Sequence, residues 1–381
     1  MKEQKRINVG IIGQGRSGRN IHGAHLLGDE RYRIAAVAEG IEDRRKRAVE
    51  EYGCEAYATH GEMLARGGLD LVVNATFSHT HPDISIECLN AGFNVVCEKP
   101  MAATLKDADR MIDAARKSGK ILAMFQQSRF SPAFQEILRV LQSGVLGRIV
   151  QISMASNGFG RRWDWQTLQS RNGGNLMNTG PHSLDQALQL FGDGEPEVRC
   201  FMDRANTSGD AEDYVKLILS GPGKPVIDIE ISSCCAYPSF GYNIQGTRGG
   251  LKGTPERLEW KYFKQEEAPP MKFVDPVSHP DGTPAYCGEK LIWHTGTWAF
   301  DAAAAGGGSA YQASAVDLMA ARSKPKASSD MYASMAESFY SMLYDTLTTG
   351  APLAITTEQV RRQMAVFEKC RAQAPHIYKK A

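Results

Sequence analysis

The residues of this chain that could do chemistry fall in a few short runs. Gly13-Gln14-Gly15-Arg16-Ser17-Gly18 is a G-x-G-x-x-G. In such a run the first glycine permits a tight turn, the second lets a pyrophosphate approach the backbone, and the third lets a helix pack closely on a strand. The letters alone are a weak signal, since a glycine-rich turn with no ligand reads the same. Glu39 stands roughly twenty residues beyond the motif, where a carboxylate holds the adenosine ribose hydroxyls and repels a 2′-phosphate. That favours NAD over NADP. The basic run Arg44-Arg45-Lys46-Arg47 reads as a solvated helix face, with a seat for the extra phosphate of NADP as the alternative. Glu98-Lys99-Pro100 offers an ammonium that can bond a substrate oxygen and stabilise developing negative charge. Taken in isolation, the tripeptide is better explained by a surface lysine. His182 and Asp185 are about one helical turn apart, so the carboxylate could orient the imidazole and raise its basicity. A helix-end histidine satisfied by packing is the plainer alternative. Arg161-Arg162-Trp163-Asp164-Trp165 combines rings that stack on sugar C–H faces with charged groups for hydroxyls. Packing of both tryptophans in the core explains that run equally well. Trp293-His294 and Trp298 are weaker candidates of the same kind.

Ile7 to Ile12 reads as a buried parallel strand, short, β-branched and ended by glycine. A helix is expected next, which gives the glycine motif its strand–turn–helix setting and aims a helix N-terminus at the phosphates. Further strands are expected at 33–38, 70–75, 93–97 and 120–124, and helices at 43–52, 82–91 and 105–118. Alternation of this kind over about 125 residues calls for a doubly wound parallel sheet of the Rossmann type. Glu98 and Lys99 then fall at the C-terminal end of a strand, the edge where open α/β sheets bind ligands. Beyond a helix at 132–143 the pattern changes. Strands at 148–154, 214–219 and 226–231 suggest an antiparallel or mixed sheet. A helix is read from Pro181 to Phe191. Residues 253–310 are expected to form long loops, with 302–308 a flexible stretch of small residues. Helices close the chain at 331–348 and 357–372.

The 381 residues are enough for two domains, divided here at 1–127 and 128–381. Hydrophobic content of 42%, charged content of 23% and a net charge of +1 describe a soluble globular protein and favour neither nucleic acid nor an anionic membrane. No apolar run approaches the roughly 18 residues of a membrane span. The first residues carry no signal-peptide core, so a cytoplasmic location is expected. The eight cysteines include no Cys-x-x-Cys pair, which points to free thiols and to no metal site.

Taken together, the motifs resemble the glucose–fructose oxidoreductase / inositol dehydrogenase (Gfo/Idh/MocA) family over essentially the whole chain. The resemblance is carried by Gly13-x-Gly15-x-x-Gly18, His81-Pro82 and Ala91-Gly-Phe-Asn-Val-Val-Cys-Glu98-Lys99-Pro100. It continues through Arg129-Phe-Ser-Pro132, Gly144-Val-Leu-Gly147 and Gly173-Gly-Asn-Leu-Met-Asn178-Thr-Gly-Pro-His182-Ser-Leu-Asp185. It implies a Rossmann domain followed by a C-terminal α+β domain with a large open mixed or antiparallel sheet, used for homodimer or homotetramer contacts. It also implies that Lys99 and His182 sit beside the nicotinamide as the catalytic pair. The candidate cofactor-binding residues are Gly13, Gln14, Gly15, Arg16, Ser17, Gly18, Glu39, Thr76, His81, Glu98 and Lys99. The candidate substrate-binding residues are Asn178, Asp185, Trp163, Trp165 and Arg129. Many members carry an aspartate where this chain has Asn178. An amide cannot act as a base, so proton transfer falls to His182. Asparagine at that place resembles the sugar-nucleotide and glycoside 3-dehydrogenase branches and suggests a pyranose, oxidised at a ring carbon such as C3. The implied activity is NAD-dependent hydride transfer at a secondary alcohol of a sugar, glycoside or cyclitol. A redox-neutral NAD-dependent glycosidase and a non-catalytic sugar or cofactor sensor are the alternatives.

Overall fold

The structure, a computed structural model, describes residues 5–301 and 331–378. Six parallel strands, β1 (Ile7–Ile12), β2 (Tyr32–Ala38), β3 (Glu55–Tyr57), β4 (Leu71–Asn74), β5 (Asn94–Cys97) and β6 (Leu122–Met124), form the first sheet. Their order is β3-β2-β1-β4-β5-β6, which reverses direction between β1 and β4 and opens a crevice at their C-terminal ends. The central strands are continuous apolar runs because helices cover both faces. Local chemistry sets the helix limits. Thr104 accepts the Asp107 N–H at the start of Leu105–Ser118, and Gly119, at φ +66°, ends it in the left-handed conformation. After the glycine motif the chain winds as a π-helix over Arg16–Gly23, which turns Arg19 and His22 into the interior.

The second sheet has eight strands: β7 (Ile149–Asn157), β8 (Glu197–Asp203), β9 (Tyr214–Ser220), β10 (Val226–Ser232), β11 (Tyr242–Gly246), β12 (Gly249–Gly253), β13 (Arg257–Tyr262) and β14 (His294–Ala299). They lie in the order β14-β13-β12-β11-β7-β10-β9-β8, and the sheet is mixed because β7 and β10 run parallel. Ile152, Met154, Leu217, Ile227 and Ile229 point to the buried face, against the helix Gly180–Phe191 and its neighbours. The opposite face is half open. There Ser153 and Gln151 donate to Asp228 at 2.8 and 2.9 Å, and Lys216 donates to the same carboxylate at 2.7 Å.

One expectation needs correction. Residues 253–310 are not loops throughout, because β13 and β14 pair across that stretch. Their register comes from partners distant in sequence, which local composition does not show. Residues 302–308 lie outside the described residues. Residues beyond 127 also contact the first sheet. The helix Met331–Thr349 packs back onto it, with Phe339 edge-on to Phe125 at 4.8 Å and the Tyr32 hydroxyl donating to the Tyr340 carbonyl at 2.6 Å. The helix Thr357–Ala372 touches both the Leu105–Ser118 helix of the first unit and β8 of the second. Among the described residues no helix is long and apolar enough to cross a membrane.

Candidate active site

The glycine motif forms a backbone cradle at the end of β1. Gly13 has φ +89°, and a Cβ there would meet the Ala75 carbonyl oxygen at 2.7 Å. A Cβ on Gly18 would lie 1.8 Å from the Gly13 carbonyl oxygen, whereas a Cβ on Gly15 would point into open space. The turn is closed by its first and third glycines and open at the second, as a backbone surface for a pyrophosphate requires. Gln14, 2% exposed, has both side-chain amide atoms without a partner among the described residues. At the end of β2, Glu39 accepts the backbone N–H of Gln14 at 2.8 Å and that of Ile41 at 3.0 Å, and Arg44 approaches it at 3.5 Å. These bonds fix the carboxylate at the C-terminal end of β2. Open cradle, fixed carboxylate and buried amide together suit a dinucleotide. Gly18→Ala is expected to cost about 1–3 kcal/mol through overpacking against backbone and to weaken NAD binding. A cofactor titration beside a thermal melt checks both.

Thr76 follows β4 and bonds Asn74 at 2.7 Å and Thr80 at 2.8 Å. His81, expected to touch the cofactor, is 1% exposed and bonds inward. Its Nδ1 donates to the Pro100 carbonyl at 2.7 Å, and burial keeps the ring neutral by pushing its pKa down. It is therefore a strut for the Lys99–Pro100 segment, not a ligand-facing group.

Lys99 leaves the end of β5 and reaches across to the second unit. Its Nζ donates to the Asn178 carbonyl at 3.0 Å and approaches Asn178 Oδ1 at 3.4 Å. Burial lowers the lysine's pKa, Glu98 raises it, and the charges of Arg16 and Arg162 lower it further, leaving it below the ordinary lysine value. Asn178 closes the short helix Asn175–Asn178, and its amide pairs with that of Gln166 at 3.2 and 3.3 Å. Gln166 was not anticipated from the sequence. It carries no motif, and its position appears only when the 160–178 segment folds back on itself. Arg162, Gln166, Asn175 and Asn178 share a small cavity with Glu212 and Ser233.

His182 opens the Gly180–Phe191 helix and stays half-buried. Its Nδ1 meets Ser128 Oγ at 3.1 Å, and Nε2 has no partner among the described residues. Burial and the charge of Lys99 push its pKa down to about 3, against a smaller opposing pull from Glu98. Asp185 does not orient it. That carboxylate faces the other way into a buried pair with Arg129, which donates through Nε at 2.7 Å and Nη2 at 2.5 Å. Arg129 also bonds the Ala354 carbonyl and Gln359. Neither residue is free for substrate, because each spends its polar atoms on the other and on the C-terminal segment.

Trp165 packs edge-on against Phe77 at 5.2 Å, with Arg171 over the Phe77 ring at 5.4 Å, while Trp163 is 80% exposed. Trp293, His294 and Trp298 do not join them. They belong to the β14 edge, four strands from β7 and so about 19 Å away at ordinary strand spacing. His294 is taken up by Glu267 at 2.6 Å and by the Tyr262 ring. No group of His, Cys, Asp or Glu among the described residues has metal-binding geometry.

Two family profiles match this chain: an oxidoreductase family with an NAD-binding Rossmann fold over residues 7–126, and the GFO/IDH/MocA C-terminal domain over 134–252. An uncharacterised oxidoreductase of Schizosaccharomyces pombe is 28% identical over 205 residues, 52% of this chain and 56% of its own length. Inositol 2-dehydrogenase 2 of Saccharopolyspora erythraea is 27% identical over 300 residues, 76% of this chain and 84% of that protein. The WlbA dehydrogenase of Bordetella pertussis, crystallised with NADH and UDP-GlcNAcA, shares the fold at a TM-score of 0.73, with 22% identity and coverage of 99% and 97% of the two chains. The glycine cradle, the Glu98-Lys99-Pro100 strand end and the histidine helix thus sit on the shared scaffold, and the chain belongs to the Gfo/Idh/MocA oxidoreductase family.

Proposed function

We propose that the protein is an NAD-dependent dehydrogenase that oxidises a secondary alcohol of a pyranose, glycoside or cyclitol. The observation that carries the reading is the bond from the Lys99 ammonium at the end of β5 to the Asn178 carbonyl at 3.0 Å, four residues before His182 at the start of the Gly180–Phe191 helix. The inositol dehydrogenase relative supports a polyol as substrate class. Bound NAD supplies the hydride acceptor. With Nδ1–H donating to Ser128, His182 presents the Nε2 lone pair and takes the hydroxyl proton. Lys99, held by Asn178, donates to the same substrate oxygen and stabilises its developing charge. Trp165 and Phe77 offer an apolar wall for a sugar ring. A homodimer or homotetramer would use the half-open face of the eight-stranded sheet.

The test is a screen for NADH formation across sugars, glycosides, sugar acids and cyclitols, with cofactor binding measured in parallel. Turnover on a polyol class supports the reading. Tight NAD binding with no reduction on any class overturns it. The carboxylate of Glu39 further leads us to expect tighter binding of NAD than of NADP. Fluorescence titration of both cofactors checks this, and NADP binding equal to or above that of NAD would hand the leading role to Arg44 and its neighbours.

A further inference from the structure

Behind the catalytic lysine lies a chain of buried polar groups that the proposed reaction does not use. Tyr340 and His22 are 0% exposed and Glu98 is 5% exposed. They come from three separate places: the C-terminal helix Met331–Thr349, the π-helix after the glycine motif, and the end of β5. Tyr340 Oη lies 2.8 Å from His22 Nδ1, and His22 Nε2 lies 3.2 Å from Glu98 Oε1. The other Glu98 oxygen accepts the Lys99 backbone N–H at 3.1 Å.

We infer that Tyr340 and His22 are positioning residues for Lys99, acting through Glu98. The chain from the C-terminal helix holds that carboxylate in place beside Lys99, whose backbone N–H it accepts. The inference rests on the dehydrogenase reading for what Lys99 does, and on the geometry alone for how it is held.

Tyr340 acts through the His22 ring. An ionised carboxylate only accepts hydrogen bonds, so Nε2 must carry the proton. Nδ1 on the other side of the ring faces the Tyr340 hydroxyl at 2.8 Å, and both residues are fully buried. Without the hydroxyl, Nδ1 loses its partner, the ring is free to turn, and its hold on the carboxylate beside Lys99 is loosened. The groups around Glu98 are His22, Lys99 and His81; burial pushes the carboxyl up, and these neighbours hold it down at about 2. The groups acting on Lys99 are Glu98, which favours the ammonium, and Arg16 and Arg162, which oppose it. Tyr340 itself is walled by Phe125, Phe339, Tyr32 and the ring of His25, stacked at 4.9 Å.

The test needs no substrate. Competitive acetylation of the whole protein across pH, read by mass spectrometry on the Lys99 peptide, gives the titration midpoint of that lysine. In Tyr340→Phe and in His22→Asn the midpoint should fall by about one pH unit, the scale of losing a nearby opposite charge. Tyr344→Phe removes a hydroxyl from the same helix that donates to the Lys5 carbonyl instead, and should leave the midpoint in place. An unmoved midpoint in Tyr340→Phe, or an equal fall in Tyr344→Phe, overturns the inference. If His22→Asn does not fold, Tyr340→Phe decides alone, since it deletes one oxygen and keeps the ring. A shifted midpoint beside a failed substrate screen would keep this chain and discard the dehydrogenase.

Discussion

His182→Ala is expected to lower turnover by about 10²–10⁴-fold, the scale of a lost general base, while NAD still binds. In barrier terms that is about 3–5 kcal/mol. The substitution deletes the Nε2 lone pair and leaves the glycine cradle and Glu39 untouched, so chemistry and cofactor affinity should separate. The pH dependence carries its own sign. Burial and the Lys99 charge push the imidazole down to about 3, so the neutral base form persists through mildly acid conditions. The acid limb of wild-type oxidation should therefore lie below the ordinary histidine range near 6.5. Stability follows the same linkage. The unfolded chain takes up the proton first as pH falls below about 6.5, so the folded state loses stability from there toward pH 3. His182→Ala removes that contribution to the acid slope. Rates near wild type in the variant would send the proton elsewhere and end the assignment.

Arg129→Met should cost stability, not chemistry, by about 3–5 kcal/mol, because it strands the Asp185 carboxylate in the interior. Burial already raises that carboxyl above its ordinary value, against the pull of Arg129. Without the guanidinium it rises further. A carboxyl raised in the folded state contributes stability at low pH and loses it as pH climbs through the folded value. The gap between variant and wild type should accordingly narrow in acid. The double variant Arg129→Met/Asp185→Leu should recover most of the loss, since a buried pair replaced whole by apolar groups is often neutral. Thermal melts of the four proteins at two pH values test this. A loss of turnover with an unchanged melting point would return both residues to the substrate site.

Legibility in the sequence tracked how local the determinant was. Leu105–Ser118 is bounded by its own Thr104 cap and Gly119 stop, and both are visible in the letters. The strands of the parallel sheet announce themselves as apolar runs because they are buried on both faces. β3 escaped notice because three residues with a charged start carry no periodicity. β12 has three glycines in five residues, and only its pairing with β11 and β13 makes it a strand. The same limit applies at the site. The spacing of His182 and Asp185 was read as a partnership, but a helix turn can present two neighbours to different partners. Asp185's true partner lies 56 residues away, and the His22–Tyr340 contact spans 318. No window along the chain sees such pairs. The glycine motif was legible because turn, phosphate approach and helix packing all act within six residues.

The return of Met331–Thr349 onto the first sheet makes the polypeptide cross between the two halves more than once. A single connector would act as a swivel, free to twist. Several crossings that are not collinear act as a door on separate pins, allowing the cleft to open about one axis while resisting rotation about the others. Lys99 and His182 come from opposite leaves of that door, and the bond from Lys99 to the Asn178 carbonyl spans the two. The same topology means that a fragment ending at residue 127 would bare Tyr32 and Phe125 to solvent, and the cofactor half would lose its lining along with its partner.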